Sequence, residues 1–407
     1  MATRQKPDAQ AEMERLNREA APLHIWCRTY ANAPAQRPWA EAEAGMAVPP
    51  PRAAAPLASD QRVKVGQMKA APHVWRWNEI KPYLFRISEL ARESETPPIE
   101  FADRQQFLLC NPGLNGRIQV ASTIRIAVSI YNSGDEAPVH MHTPNASRTI
   151  LSEEGGYTTV DGERLEAKRG DLLLTPNGTW HDHGNDGTEP VIWFDVLDWP
   201  LLEYLDCIWL STDYPGPRTG RNKEGRIQRP TRAAGYTRRT FGGGGLVARF
   251  VPPSRGINAH ATALLHFEGK AARAALASLR DEEPSPWEGI VLEFVNPATG
   301  GPVFPTLSYT AQLLRAGGET LPCRTTSNTV YMVMEGRGFT EVAGKRLEWS
   351  ENDVVVVPNF LWRRHVNLDP KKDAVLYGIS DAPLMRAIGQ YRGQGRKRSG
   401  EVVEFEG

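Results

Sequence analysis

The chain contains two copies of one pattern, and this internal repeat restricts the folds that it can adopt. The stretch GDEAPVHMHTPNASRTILSEEGGYTTVDGERLEAKRGDLLLTPNGTWHDHGN, residues 134–185, aligns with GETLPCRTTSNTVYMVMEGRGFTEVAGKRLEWSENDVVVVPNFLWRRHVN, residues 318–367. Both copies consist of short apolar runs bounded by Gly, Pro, Asn and Asp, which is the pattern of an all-β domain. We therefore predict two tandem β-barrels in this chain of 407 residues.

The sequence outside the repeat divides the chain into five segments. The first segment becomes rich in alanine and proline, and the segment between the copies is rich in glycine, proline and arginine. Apolar residues at helical spacing predict one helix that begins near Val74. The predicted segments are an N-terminal arm (1–72), a first barrel with the metal site (73–212), a linker (213–258), a second barrel (259–390) and a polar tail (391–407).

Four of the nine histidines form two H-x-H pairs in the first copy, His140 with His142 and His181 with His183. Residues two apart on a strand share a face, so each pair can aim both rings at one point inside a barrel. Imidazole suits iron, copper, zinc and nickel. A structural zinc site usually has four ligands with cysteine among them, and no cysteine lies near these pairs. The pattern therefore favours a catalytic or substrate-binding metal over packing histidines or a structural zinc.

Charge and cysteine usage restrict the partners. Basic and acidic residues number 48 each, so net charge does not favour a polyanionic partner. Eight basic residues between Arg218 and Arg239 accompany few stacking aromatics, which indicates a solvated loop or an inter-subunit arm rather than a nucleic-acid surface. Four scattered cysteines without a C-x-x-C motif, and no apolar run of membrane-spanning length, predict a cytoplasmic protein. We expect no nucleic acid and no membrane among its partners.

The first copy of the repeat resembles the two signature motifs of the cupin family. The matching pattern is Gly134-x5-His140-x-His142, then Gly170-x5-Pro176-x-Gly178-x2-His181-x3-Asn185. It departs at one point, because the glutamate usually found four or five residues after the second histidine is replaced by Ala146 or Ser147. This removes a fourth protein ligand. The fold implied is an all-β bicupin, two tandem double-stranded β-helix (jelly-roll) barrels with a few flanking helices.

Three histidines, the motifs HTP-A-R, GGYTTVDGE and GDLLLTPNGTWHDHGN, and a second copy without ligands are similar to the gentisate 1,2-dioxygenase family, which includes salicylate and 1-hydroxy-2-naphthoate dioxygenases. The likeness runs from about Pro72 to Arg386. It implies an Fe(II)-dependent oxidoreductase of the extradiol type. Such an enzyme cleaves a 2-hydroxybenzoate-type acid between the carboxyl-bearing and adjacent hydroxyl-bearing carbons and inserts both atoms of O2. Gentisate is the expected substrate because its second hydroxyl donates electrons to the ring; salicylate, a substituted salicylate and 1-hydroxy-2-naphthoate are alternatives.

The resemblance also implies roles for individual residues of the first copy. His140, His142 and His181 would bind Fe(II). Arg148 would bind the substrate carboxylate, because a guanidinium can give two parallel charge-assisted hydrogen bonds. His183 shares the face of His181 and would hydrogen-bond the substrate oxygen or move its proton.

Further residues of the site are expected on two neighbouring strands. Asp195, in the run VIWFDVL, would orient His183 or a ligand ring. Arg125, Ala127 and Ser129 alternate along the strand STIRIAVSI, so they share one face and would line the substrate site. A strand shifted by one residue would instead place Arg125 in solvent.

The second copy has lost the ligands. Sequence alignment puts Arg324 and Thr326 in the places of the first histidine pair and Arg363 in the place of His181. An arginine would repel a metal ion there, so packing and assembly into a homodimer or homotetramer is the expected role. An anion site built from Arg324, Arg363 and His365 is the alternative.

Two other classes of function fit a cupin. One is a non-catalytic sensor for an aromatic acid or a sugar, and the other is a manganese- or nickel-dependent decarboxylase or oxygenase. The missing glutamate and the presence of Arg148 argue against a sugar isomerase, and no helix-turn-helix that would indicate a regulator is evident. Metal analysis and oxygen uptake with hydroxylated aromatic acids separate these classes.

Overall fold

The computed structural model describes residues 9–27, 69–93, 105–220, 225–246, 248, 250 and 261–405. It confirms the all-β bicupin prediction, since each half of the chain forms a pair of antiparallel sheets. Helices are few and lie beside the sheets.

The first barrel consists of a seven-stranded and a five-stranded sheet. The larger sheet contains, in spatial order, β1 (Ile25–Trp26), β3 (Gln105–Leu109), β4 (Arg125–Tyr131), β11 (Val191–Leu197), β6 (Ala146–Ile150), β9 (Leu172–Thr175) and β15 (His266–Phe267). The smaller sheet contains β12 (Leu210–Ser211), β5 (Glu136–His142), β10 (His181–Asn185), β7 (Gly156–Val160) and β8 (Glu163–Glu166). A separate ribbon is formed by β13 (Arg218–Thr219) and β14 (Ile227–Gln228).

The second barrel consists of two six-stranded sheets. One contains, in spatial order, β16 (Ile290–Phe294), β17 (Ser308–Leu314), β24 (Ala374–Ser380), β19 (Thr329–Glu335), β22 (Val354–Val357) and β2 (His73–Trp75). The other contains β21 (Lys345–Ser350), β20 (Arg337–Val342), β23 (Arg363–Asn367), β18 (Cys323–Thr325), β25 (Gly393–Arg396) and β26 (Val402–Glu404).

Helices flank the barrels. They are α1 (Ala9–Ala20), α2 (Trp77–Glu93), α3 (Trp199–Tyr204), α4 (Tyr236–Phe241), α5 (Gly269–Ser278) and α6 (Ala382–Ala387), with short 3-10 helices at Ala21–Leu23 and Pro112–Leu114. Helix α2 is the one predicted from the sequence, and it begins after Val74 because that residue pairs in β2. None of the helices in the described residues is long and apolar enough to cross a membrane.

Strand β4 shows how the sequence separates the two faces of the barrel wall. Its outer face belongs to the large apolar cluster that also contains buried residues of α2, and the members from β4 are Ile126, Val128 and Ile130. The alternate residues therefore face the interior of the barrel. At the end of this interior face, Tyr131 stacks on Trp193 of β11 with 4.5 Å between ring centroids. The polar residues of β4 thus face the barrel interior, while its apolar residues pack against helix α2.

Each barrel contains a strand from the segment that leads into the other barrel. Strand β2 lies at the start of the predicted first barrel, yet it pairs with β22 of the second. Strand β15 lies in the predicted second barrel, yet it pairs with β9 of the first. The predicted boundaries at residues 73 and 259 therefore do not coincide with the sheets. An open sheet edge pairs with whichever segment lies beside it, and sequence pattern does not specify that neighbour.

Two segments predicted to lie outside the barrels are partly built into them. Residues 9–27 of the arm form α1 and β1, in which Met13 and Leu16 are buried, and β1 pairs with β3. Residues 28–68 of the arm lie outside the described residues. Strands β25 and β26 of the tail extend the second barrel beside β18. Strands of two to four residues, such as β1, β25 and β26, are too short to show the apolar alternation that reveals a strand in a sequence.

Two buried aspartates join the barrels with approximate twofold symmetry. Asp198 accepts hydrogen bonds from the backbone N–H and the side-chain amide of Asn145, both at 2.8 Å, and from the hydroxyl of Thr306 in the other half. Asp381 repeats this arrangement, and its donors are Asn328 and Thr123. Each carboxylate is therefore anchored by its own barrel and contacted by one hydroxyl from the opposite barrel.

We expect Thr306→Val and Thr123→Val each to lower the free energy of unfolding by about 1–3 kcal/mol, because each leaves a buried carboxylate with one donor fewer. The symmetry of the two contacts predicts effects of similar size. Urea denaturation of the two variants measures this, with Thr306→Ser and Thr123→Ser as controls that keep the hydroxyl. Valine variants as stable as the wild type would show that these bonds do not hold the barrels together.

Candidate metal centre and substrate site

Three histidines meet inside the first barrel. One ring nitrogen from each of His140, His142 and His181 lies within 4.8 Å of the others, and all three side chains are buried. The ring centroids are 4.2 Å apart for His140 and His181 and 4.7 Å apart for His142 and His181. Strand pairing accounts for this meeting, because His181 lies directly opposite His140 in the β5–β10 ladder.

Each of the three rings is held in the tautomer that a metal ion requires. The Nδ1 atoms lie 2.8 Å from the Pro138 carbonyl, 2.8 Å from the Pro144 carbonyl and 2.9 Å from the Thr179 carbonyl, in the order of the chain. A carbonyl oxygen only accepts hydrogen bonds, so each Nδ1 carries the proton and each Nε2 keeps its lone pair. The donor set of three neutral imidazoles therefore fits a divalent transition metal and leaves coordination positions for other ligands.

A buried arginine–aspartate pair lies on the opposite sheet. Arg148 of β6 and Asp195 of β11 are register partners, and Arg148 Nε lies 3.1 Å from Asp195 Oδ1. Arg148 Nη1 also donates to Thr175 Oγ1 at 3.0 Å. The second carboxylate oxygen accepts from the Ser129 hydroxyl at 2.5 Å and from the Trp193 indole at 3.2 Å. These contacts fix the direction of the guanidinium within the barrel.

His183 lies close both to the three histidines and to the Trp193 ring, which bonds the Asp195 of the Arg148–Asp195 pair. Its ring centroid lies 5.4 Å from that of His181 and 6.2 Å from that of Trp193, the residue whose indole bonds Asp195. Its Nδ1 lies 3.0 Å from Thr158 Oγ1. The structure thus places His183 beside the candidate metal ligands, on the face of β10 that the H-x-H spacing predicts.

The structure gives Asp195 other partners than the histidines expected from the sequence. Asp195 contacts Arg148, Ser129 and Trp193, whereas His183 is held by Thr158, and the ligand rings by backbone carbonyls. The reason is register, because Asp195 pairs across the sheet with Arg148 and a sequence does not reveal which residues of two distant strands face each other. Asp195 therefore orients the guanidinium.

The predicted face of β4 lies inside the barrel. Ala127 is the register partner of Asp195, and Ser129 bonds the same carboxylate. Arg125 lies at the end of this row, half-buried, with its guanidinium 5.2 Å from the centre of the Trp199 ring. Ser129 therefore acts through Asp195, while Arg125 lies at the rim of the barrel against α3.

Sequence reasoning missed the cover over the outer face of β10. Asp182 alternates outward as strand geometry requires, but it is buried under β14, where it accepts hydrogen bonds from the Gln228 backbone at 2.8 Å and side-chain amide at 3.1 Å. Burial raises the pKa of Asp182 to about 7 although these hydrogen bonds act in the other direction. The linker, predicted as a solvated loop or an inter-subunit arm, thus supports the strand that carries His181 and His183. The isolated apolar Ile227 in a charged segment is the one sequence signal for this contact.

These features define the chain as a bicupin in which the first barrel can hold a metal ion beside a buried guanidinium. The sequence profile of the cupin domain matches residues 127–197. The chain is 36% identical over 343 residues to a 5-aminosalicylate 1,2-dioxygenase from Comamonas sp, covering 83% of this chain and 84% of that protein. It is 33% identical to a gentisate 1,2-dioxygenase from Ralstonia sp, covering 80% and 85%.

A solved structure is similar over most of its length. The salicylate 1,2-dioxygenase from Pseudaminobacter salicylatoxidans matches with a TM-score of 0.70 and 27% identity, covering 89% of this chain and 98% of that one. The chain therefore belongs to the gentisate 1,2-dioxygenase family of bicupin ring-cleaving dioxygenases. Enzymes of this family are metal-dependent oxidoreductases, and the three-histidine site is where this chain can hold the metal.

Proposed function

We propose that the protein is an Fe(II)-dependent 1,2-dioxygenase that opens the ring of a 2-hydroxybenzoate-type acid, with gentisate as its substrate. The observation that carries this proposal is the set of three Nε2 donors held in the metal-binding tautomer next to a buried guanidinium. Three neutral ligands leave the full double charge of a divalent ion, which favours an anionic chelating substrate. Iron is proposed rather than zinc because the reaction of the family requires a redox-active metal.

Fe(II), when bound, supplies the electron transfer that allows dioxygen to react with an aromatic ring. The protein residues supply position and charge. Arg148 binds the substrate carboxylate through two parallel hydrogen bonds, and Asp195 holds its guanidinium in the required plane. His183 accepts the proton of the hydroxyl ortho to the carboxylate and keeps it near that oxygen. The bond between the carboxyl-bearing and hydroxyl-bearing carbons breaks, and both atoms of O2 enter the ring-opened product.

A 5-substituted salicylate with an amino group is the second candidate substrate, because the 5-aminosalicylate dioxygenase is 36% identical to this chain. Both candidates carry an electron-donating group para to the ortho hydroxyl, so both rings are electron-rich. An oxygen electrode with gentisate, 5-aminosalicylate, salicylate and 1-hydroxy-2-naphthoate, combined with spectra of the products, tests both. Gentisate turned over with the highest kcat/KM supports the main proposal. No oxygen uptake with any of these acids by iron-loaded protein would contradict it and favour a non-catalytic cupin.

Metal analysis separates the proposal from a manganese or nickel enzyme. We expect about one Fe(II) per chain to restore activity to protein stripped with a chelator, because among the described residues only the first barrel has the ligand set. Zinc occupies the same imidazoles without redox chemistry and should leave the protein inactive. Activity restored by manganese or nickel but not by iron would overturn the choice of metal.

We expect Asp195→Asn to raise KM for the substrate by roughly 10-fold while the metal content stays unchanged. A neutral amide holds the Arg148 guanidinium less firmly than a carboxylate does, so the guanidinium is less well placed for the substrate. The asparagine keeps the size of the side chain, so the fold is preserved. Steady-state kinetics with gentisate provides the measurement. A fall in iron content with unchanged KM would show instead that Asp195 acts on the metal ligands.

We also propose that the enzyme acts in the cytoplasm as a homodimer or homotetramer. The four cysteines are thiols, which suits a reducing compartment. Apolar side chains cluster on the surface from α3 to β12, and they are Tyr204 (87% exposed), Leu205 (57%), Trp209 (42%) and Leu210 (53%). An exposed apolar cluster of this kind is typical of an interface. Light scattering of a Tyr204→Ser, Leu205→Ser variant should report a smaller assembly than the wild type; an unchanged mass places the interface elsewhere.

A further inference from the structure

The second barrel has a different interior from the one that sequence alignment predicts. Cys323 lies directly opposite Arg363 in the β18–β23 ladder, as His140 lies opposite His181 in the first barrel. Arg363 in turn pairs with Val342, as His181 pairs with Val160. Cys323 and the residue two positions later, Thr325, therefore take the places of His140 and His142.

The residues chosen by alignment lie on the other face. A shift of one residue along a strand reverses the direction of each side chain. Arg324 packs its guanidinium 4.0 Å from the Phe360 ring centre and 4.5 Å from that of Trp362, and it bonds the side chain of Gln394. Arg324 is thus excluded from the anion site considered from the sequence, and Arg363 and His365 remain.

Arg363 is a buried cation without a carboxylate partner. Its side chain is 5% exposed, and it forms no ion pair within 4.0 Å with any carboxylate of the described residues, Glu288 included. Its Nε donates to the Tyr331 hydroxyl at 3.0 Å and its Nη1 to Thr325 Oγ1 at 3.5 Å, both neutral acceptors. The charge of Glu288 acts on Arg363 from beyond ion-pair distance, so no carboxylate bonds the guanidinium directly. A buried charge without an adjacent counter-charge is costly, so this guanidinium favours the binding of an anion.

His365 presents a second donor beside Arg363. Its Nδ1 lies 2.9 Å from Thr340 Oγ1, and that oxygen already accepts from the Trp349 indole at 3.0 Å. The Thr340 hydroxyl can donate a hydrogen bond to Nδ1, and in that arrangement the neutral imidazole carries its proton on Nε2. Burial and then the charge of Arg363 lower the pKa of His365 to about 3, so the ring stays neutral. Nε2 is buried and has no hydrogen-bond partner among the described residues.

Two further hydrogen-bond donors, the Trp287 indole and the Tyr331 hydroxyl, lie near Cys323 and Arg363. A Cβ at Gly395 would lie 2.1 Å from Trp287 Cε2, so the indole packs on the backbone beside Cys323, the strand partner of Gly395. Trp287 Nε1 is buried without a partner in the described part of the chain. Burial raises the pKa of Tyr331 to about 12, so its phenol keeps a proton while accepting from Arg363. The interior thus presents more donors than acceptors.

We propose that the second barrel is a binding site for the carboxylate group of a small organic acid, held by Arg363, His365 and Trp287. The guanidinium provides two parallel donors with a full charge, the arrangement that matches a carboxylate, and the imidazole and indole N–H groups donate to its remaining lone pairs. In the first barrel, the proposed site binds the substrate carboxylate through Arg148 beside the three histidines. In the second barrel, Arg363 itself stands in the place of the ligand His181. This site does not depend on the activity of the first barrel.

Crystals of the iron-loaded protein with formate and with 4-bromobenzoate test the proposal. We expect density for a carboxylate on Arg363 in the second barrel, and for the bromo compound an anomalous bromine peak there. The two acids differ in size, so formate alone bound would define a site for the smallest acids only. Maps of the second barrel with water only, at saturating concentrations of both acids, would overturn the proposal.

Variants give the matching result in solution. Equilibrium dialysis should measure one equivalent of labelled benzoate or formate fewer per chain in Arg363→Met than in the wild type, and no loss in Arg364→Met, whose arginine is paired with exposed glutamates on the outer face. Replacing a buried unpaired cation by an apolar side chain is expected to preserve the fold. Equal binding by Arg363→Met and the wild type would refute the site, and the wild-type crystals decide the question if that variant does not fold.

Discussion

Replacing His142 with alanine should remove the metal and the activity together, with ring cleavage reduced by at least about 10³-fold. Three imidazoles hold the ion in the proposed site, and two of them cannot fix its geometry or retain it against dilution. The expected metal content therefore falls well below one ion per chain. Metal analysis of the purified variant, followed by oxygen uptake with gentisate, measures both effects on one sample.

The control for this variant is a histidine whose side chain is not part of the three-histidine cluster. His73 lies on β2 and contacts the rings of His24 and Trp75. His73→Ala should keep the metal and the activity. Full turnover by His142→Ala would remove the three-histidine site from the mechanism, whereas loss of activity in both variants would indicate a general effect on folding.

Arg148→Met should lower kcat/KM by roughly 10²–10⁴-fold while the iron content stays the same. Two charge-assisted hydrogen bonds to a carboxylate contribute about 1.5–3 kcal/mol each, and the variant loses both. Arg148→Lys keeps the charge but not the planar pair of donors, so it should fall between the wild type and the methionine variant. Kinetics with gentisate and with its carboxamide analogue provide the measurement. The analogue has no carboxylate for Arg148 to bind, so the substitution should affect its turnover much less.

The methionine variant also leaves Asp195 without its cation, although the carboxylate keeps the Ser129 hydroxyl and the Trp193 indole. Thermal unfolding of the variant separates this effect from the kinetic one. Arg164→Met is a matched control, since Arg164 pairs with partly exposed Glu166 and Asp186 on the outside of the barrel. A kcat/KM within threefold of the wild type for Arg148→Met would place carboxylate recognition on another residue.

Strand periodicity was sufficient to predict the barrels and the meeting of the two histidine pairs, and the family resemblance indicated which three of the four rings would bind the metal. Two H-x-H pairs aim at one interior whatever the details of the sheet, and the ladder between β5 and β10 brings them together. The contact between Arg148 and Asp195 could not be predicted in this way. It depends on the register of two strands that are distant in the chain, and that register is set by packing of the whole wall.

The interior of the second barrel shows the same dependence in a stronger form. Motif alignment placed Arg324 at a ligand position, yet the ladder places Cys323 there. A difference of one residue in a loop leaves the alignment nearly as good and reverses an entire strand. The predictions for the arm and the tail were wrong for another reason. Strands β1, β25 and β26 are short and lie at or next to a sheet edge, so their stability comes from neighbours rather than from their own apolar pattern.

Each half of the chain completes a sheet of the other half, because β2 pairs with β22 and β15 pairs with β9. A cut in the segment between the halves would leave each fragment with an unsatisfied ladder at β9 or β22, the edge most prone to aggregate. The half that lacks the histidine triad is therefore a scaffold without which the catalytic half has an incomplete wall. A single-barrel version of this chain would therefore need a new strand beside β9.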